Sequence, residues 1–142
     1  METNDLLEKY AMGRRAFPKI ELSDRYLSWQ DLRAINLSYA NLHLSILEGV
    51  DFTAACLVET NLSRTDLTAA NLDRANLCGA DLSVADLRGA SLVNANLLGA
   101  KLRCASLTGA DLSGAIMPDG TVMPKYIGLR HKQALKIIDL FG

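Results

Sequence analysis

The stretch ANLCGADLSVADLRGA, Ala75 to Ala90, spells nearly the same five letters three times. A catalytic site usually needs unlike residues at irregular spacing, so this stretch reads first as scaffold. Following its leucines outward extends the pattern in both directions. Leu occupies 22, 27, 32, 37, 42 and 47, then 57 and every fifth position through 112, with Phe52 and Met117 in the same register. Ala stands two positions before 12 of these 20 large apolar residues, and Asp or Asn stands directly before 12 of them. The unit is Ala-(Asp/Asn)-Leu-x-x.

A period of five fits neither standard element. On an α-helix each Leu would step about 140° from the last and smear the apolar surface around the rod. On a straight strand successive leucines would alternate between faces. Within one unit, however, Ala and Leu are two apart, so a short extended stretch points both the same way and the Asp or Asn between them outward. The last two residues then turn a corner, and the next unit faces the same axis. Gly49, Gly79, Gly89, Gly99, Gly109 and Gly114 all fall two after the large apolar residue, where a positive φ is expected. The expected product is a coil with a central core, its turns paired backbone to backbone at about 4.8 Å.

Through these A(D/N)Lxx units the sequence resembles the pentapeptide-repeat proteins. The resemblance covers residues 20–117, with twenty units in register. It implies an all-β solenoid, a right-handed quadrilateral β-helix with four pentapeptides per coil and the Ala and central Leu or Phe inward. Twenty units make five coils, a rod of about 24 Å. The lead-in LLEKYAMGRRAF resembles those of short cyanobacterial members, a weaker match than the repeat.

The expected organisation is an N-terminal helical cap at 1–19, the β-helix at 20–117, and a turn and C-terminal helical cap at 118–142. Asn4 reads as N-cap of a helix over 4–12, with Leu6, Leu7 and Tyr10 as its apolar stripe and Gly13 as its stop. MPDGT, Met117 to Thr121, reads as a turn. LRHKQALKIIDLFG, from Leu129, reads as an amphipathic helix that caps the rod or serves as a dimer arm. Arg25 and Gln30 occupy inward positions and cost too much to bury unpaired, so the first coil is expected to be distorted before about residue 31, or covered by the N-terminal helix.

At 142 residues the chain is long enough for one domain with its own core. Its formal net charge is -1, which gives no general attraction to nucleic acid or anionic membrane. Cys56, Cys78 and Cys104 lack CxxC spacing and read as reduced thiols in a cytoplasmic protein. No signal peptide and no apolar run of membrane-spanning length is read in the chain. No phosphate loop and no zinc or calcium spacing occurs, so no cofactor or metal site is expected. The Asp/Asn slot recurs for architectural reasons, so neighbouring aspartates do not by themselves imply acid/base catalysis. His43 could be drawn into a Ser-His-Asp arrangement with Ser63, but nothing singles that pair out.

Stacking residues twenty apart places Val58, Cys78 and Leu98 in one exposed column, with Cys56 and Ile116 on the same side. These five form the candidate partner-contact face, for a protein partner or self-association. The expected function is a non-catalytic interaction scaffold, without nucleic-acid, membrane or small-molecule partners. The alternative is a DNA-mimicking topoisomerase (gyrase) inhibitor, as some members of the resembled family are understood to be. The near-neutral charge and short rod disfavour it, since Arg64, Arg74, Arg88, Lys101 and Arg103 interrupt the acidic columns.

Overall fold

The computed structural model describes residues 1–125; the expected C-terminal helix at 129–142 lies outside them. Seventeen parallel bridges join residues twenty apart, from Ala16 with Asn36 to Asn96 with Ile116. The chain is therefore a right-handed quadrilateral β-helix whose coil takes four five-residue sides. We number the sides by their inward centres: face 1 runs through Leu37, Leu57, Leu77 and Leu97, face 2 through Leu42 and Leu62, face 3 through Leu47 and Leu67, and face 4 through Phe52 and Leu72.

Each rung is held by main-chain bonds between coils. Leu57 N–H donates to the Asn76 carbonyl at 2.7 Å, and Glu59 N–H to the Cys78 carbonyl at 2.9 Å. Most corners close with a bond from the N–H three residues after the central residue, as from Ala80 to Leu77 at 3.0 Å, while the Arg25 N–H donates to Ser45 Oγ at 3.1 Å. The third residue of such a turn needs a positive φ. All twenty corner residues from Lys19 to Gly114 have it, with φ between 54° and 71°. Six are the glycines named from the sequence; fourteen are not glycine, Val84 among them.

The Asp/Asn slot is explained by the same geometry. At all twelve Asp or Asn positions the side-chain Oδ1 accepts the backbone N–H two residues on, as Asn61 does from Ser63 at 3.0 Å. That N–H starts the corner and faces away from the next rung, so a short outward acceptor satisfies it.

The axis is dry and filled. The central leucines from Leu22 to Leu97 are essentially unexposed, with Ala in the layer between them. Where Ser45, Thr60 and Thr65 replace that Ala, their hydroxyls donate to the carbonyls of Leu22 (2.6 Å), Leu37 (2.8 Å) and Leu62 (2.7 Å). Burying the hydroxyl is tolerated because its proton is placed.

The first coil is regular, contrary to the distortion expected before residue 31. Ala16 already pairs with Asn36 and Phe17 is fully buried, so the inward register begins one unit upstream of residue 20. Arg25 escapes the axis because it sits at the open lip. Its guanidinium donates to the Ser23 carbonyl at 3.3 Å and lies 3.8 Å from Glu2, while its buried Nε has no partner. The helix α1, Thr3–Ala11, covers this end with Leu6 fully buried and Leu7 and Tyr10 packed beside it. Glu2, not Asn4, occupies its N-cap position, and Met12 its C-cap. The Tyr10 hydroxyl donates to the Arg33 carbonyl at 2.7 Å, tying the helix to the coil.

At the other end MPDGT does turn: Gly120 N–H donates to the Met117 carbonyl at 2.8 Å, with Gly120 at φ 90°. The chain then doubles back, Val122 pairing antiparallel with Ile116, and Met123 is buried against the last coil. That antiparallel return was not read from the sequence.

Two glycines separate the backbone requirement from packing. A Cβ at Gly89 would meet nothing within 4 Å, whereas one at Gly49 would run into the Trp29 indole. Gly89→Ala is expected to cost about 1 kcal/mol in urea unfolding, from the left-handed backbone alone. Gly49→Ala is expected to cost more and to shift the emission of Trp29, the only tryptophan. Equal losses with unchanged emission would show that the indole does not rest on Gly49.

Candidate functional site

Face 1 differs from the other three in charge. Between Ile35 and Pro118 it carries one charged side chain, Glu59, at a corner. Val58, Cys78, Leu98 and Pro118 form its outward column, linked through the bonds from Glu59, Gly79 and Gly99 N–H to the carbonyls of the next coil at 2.9, 2.9 and 3.0 Å. Leu98 is 48% exposed; Val58 and Cys78 are half-buried. Cys56 and Ile116 belong to the neighbouring column and do not touch each other's rung, since Asn76 and Asn96 stand between them. Of the five candidate contact residues, three are thus stacked directly, while Cys56 and Ile116 lie in the adjacent column, which begins at Ala16 and Asn36.

The asparagines of that column give the face its polar component. Asn76 and Asn96 spend Oδ1 on the N–H groups of Cys78 (3.1 Å) and Leu98 (3.0 Å), which turns their amide NH2 groups outward. The surface therefore offers neutral donors beside apolar side chains, a composition suited to the centre of a protein contact. All three thiols are free, Cys104 exposed and Cys56 and Cys78 half-buried.

His43 and Ser63 do meet on face 2. His43 Nδ1 lies 2.8 Å from Ser63 Oγ and 3.1 Å from the Ser63 carbonyl. The carbonyl only accepts, so the proton is assigned to Nδ1. Ser63 in turn donates to Asn61 Oδ1 at 2.6 Å. The imidazole nitrogen nearest the hydroxyl is a donor and the hydroxyl proton points to an amide, so this pair holds the surface together and is not arranged as base and nucleophile. Among the described residues no group of three His, Cys, Asp or Glu side chains converges as a metal site, and no helix is long and apolar enough to cross a membrane.

Several carboxylates are held below their ordinary range by the turns they cap. For Asp31 and Asp86 the bonds from Arg33 and Arg88 side chains lead, followed for Asp31 by the Arg33 backbone N–H. The Ser113 hydroxyl and N–H lower Asp111. Burial pushes Asp81 up, but the Ser83 bonds, Lys101 and His43 together outweigh it.

Large apolar side chains off the candidate column also lie outside. Tyr26, Trp29, Tyr39, Leu44 and Val84 are exposed, all on outward or corner slots. The signal was available: an apolar residue directly before, or two after, a central Leu has no core to enter.

The family profile described as Pentapeptide repeats matches residues 26–63, 45–83 and 85–117, in eight copies. The chain belongs to the pentapeptide-repeat family. Among solved structures it is similar to the pentapeptide-repeat protein Rfr23 of the cyanobacterium Cyanothece 51142, at 36% identity and TM-score 0.66, covering 85% of this chain and 98% of that one. It is also similar to a pentapeptide-repeat protein of the Arabidopsis thaliana thylakoid lumen, at 32% identity and TM-score 0.53, covering 91% and 79%. A third, from Nostoc PCC 7120, matches at 36% identity and TM-score 0.50, covering 89% and 88%. No functionally curated protein matches the sequence. The pentapeptide repeats of this chain thus build the four-sided coil that the family resemblance implied.

The capped turns set an acid limit. A carboxylate whose folded pKa is depressed contributes stability above its unfolded pKa and loses it as pH falls through the folded value. The melting temperature is therefore expected to hold from pH 7 to about 5 and to fall below about pH 4. Asp111→Asn keeps the acceptor for Ser113 and should flatten that fall, whereas Asp111→Ala should cost about 1 kcal/mol even at pH 7. Equal pH profiles for the wild type and Asp111→Asn would remove Asp111 from the acid response.

Proposed function

We propose that this pentapeptide-repeat protein is a non-catalytic, cytoplasmic interaction scaffold that offers face 1 to a protein partner. The observation that carries the reading is the column Val58, Cys78 and Leu98, stacked rung on rung on the stretch of face 1 from Ile35 to Pro118, where Glu59 is the one charged side chain. Stacking turns scattered apolar residues into a contiguous patch, which soluble surfaces otherwise keep small. Cys56 and Ile116 extend it at its two ends, beside the outward amides of Asn76 and Asn96. The rod is stiff, since each rung is bonded to the next, so the face meets a partner without an ordering cost.

The contribution of such a surface is to position, not to transform. An axis packed with leucine and alanine leaves substrate no room inside. Leu98→Glu tests the reading, because the side chain is half-exposed and its loss leaves the core intact. The variant is expected to keep the wild-type circular dichroism and a stability within about 0.5 kcal/mol, yet to lose the protein captured by crosslinking in the native cell. Arg103→Glu, on face 2, is the matched control and should capture as the wild type does. Capture that survives Leu98→Glu unchanged would place the contact elsewhere.

A further inference from the structure

The most exposed aromatic side chains among the described residues lie together on face 3, the side of the coil opposite face 1. Tyr26 is 78% exposed and Trp29 67%, on either side of the buried Leu27. Tyr26 is laddered to Ile46 in the next coil, and the indole lies over Gly49. A Cβ at Gly49 would meet three consecutive ring atoms, Cδ2, Cε3 and Cζ3, nearly equally. The face of the ring, rather than its edge, therefore rests on the backbone, and the opposite face is open to solvent. Trp29 also holds φ 63°, a conformation that a large side chain adopts only where its surroundings impose it.

The charges around this platform have one sign left over. Glu48 is exposed beside Gly49, and its carbonyl accepts the Trp29 N–H at 2.9 Å. Asp66 stands on the rung beyond Ile46. Neither carboxylate forms an ion pair among the described residues. The basic side chains of the face are engaged: Arg25 faces Glu2 at 3.8 Å, and Arg88 grips Asp86 through two bonds of 2.6 and 2.8 Å. An open indole face, a neighbouring phenol ring and two carboxylates without a salt bridge, Glu48 exposed and Asp66 with one oxygen held by Thr68, complement a cation with an apolar stem.

We propose that Tyr26, Trp29, Glu48 and Asp66 form a binding surface for a lysine- or arginine-bearing segment of a partner peptide. The cation lies over the indole, where the ring quadrupole attracts it, and the carboxylates supply the opposite charge. The aliphatic stem covers the tyrosine and Ile46, as long basic side chains do on apolar surface. The site lies apart from face 1 and does not depend on what that face binds.

The sole tryptophan makes the test direct. Full-length protein is titrated with a short arginine- and lysine-containing peptide, with the same peptide carrying glutamine at the basic positions, and with a neutral oligosaccharide. The expected result is a saturable change in Trp29 emission for the cationic peptide alone, weakening as salt rises. With a labelled peptide, anisotropy is expected to give an affinity about three- to tenfold lower for Trp29→Ala and a smaller loss for Trp29→Phe. Glu48→Gln, which touches no core residue, should also weaken binding, and Asp111→Asn on face 4 should not. An equal response to the glutamine peptide, a response to the oligosaccharide alone, no saturable response at all, or an equal loss for Asp111→Asn would each overturn the proposal.

Discussion

Everything in this molecule depends on a corner residue held at positive φ every five positions. Only with φ near 60° does the chain turn tightly enough to bring the next Ala-x-Leu onto the same axis. Once the turn repeats, residues twenty apart fall into register, the rungs bond, and the leucines stack. Glycine takes this conformation freely, yet fourteen other residues accept it. What holds them there is cooperative: most corners have their own turn bond, a rung bond to the next coil, and a side-chain oxygen on the N–H that begins them. A strained residue persists when its surroundings over-determine it, and here the surroundings are the same strain solved one coil away.

The repeat also sorts positions by what they can do. Inward slots answer to the axis and admit Leu, Phe, Ala or a small hydroxyl whose proton finds a carbonyl. The slot before the central residue answers to the turn, which is why Asp and Asn serve there without becoming a catalytic or metal cluster. The two slots after it answer to solvent and to the turn. Charge is spread over three faces and nearly withdrawn from the first between Ile35 and Pro118, while the two most exposed aromatic side chains, Tyr26 and Trp29, stand at the start of the third. The coil is uniform, and its faces are not.

Much of this was legible in one sequence. Spacing gave the axis, the inward residues and the corners, and the four units per coil that the family resemblance implied turned the unbroken run of central residues into a number of coils. Lookup of residues twenty apart also placed Val58, Cys78 and Leu98 in one column. Of the two outcomes that Arg25 and Gln30 suggested for the first coil, cover by the N-terminal helix holds and distortion does not; at an open lip such a slot is not interior, and a guanidinium reaches its partners sideways. The N-cap of α1 was misplaced because Asn4 is a good capping residue, although the helix already begins at Thr3.

By itself the sequence determined the period, the inward face and the outward slots, because a strict five-residue repeat allows one translationally symmetric solution. The tertiary structure decided what each slot does when its residue departs from the repeat. Ser91 stands where Asp or Asn would cap Val93, and the missing acceptor comes from Asp73 in the preceding coil, whose Oδ1 takes the Val93 N–H at 3.0 Å while Ser91 donates to the same oxygen. The flat seating of Trp29 on Gly49 and the return of Met123 onto the last coil are decisions of the same kind. They join residues six to twenty positions apart through contacts that exist only once the coils are stacked, and a pattern of letters holds the spacing of such residues but not the direction in which a side chain finally points.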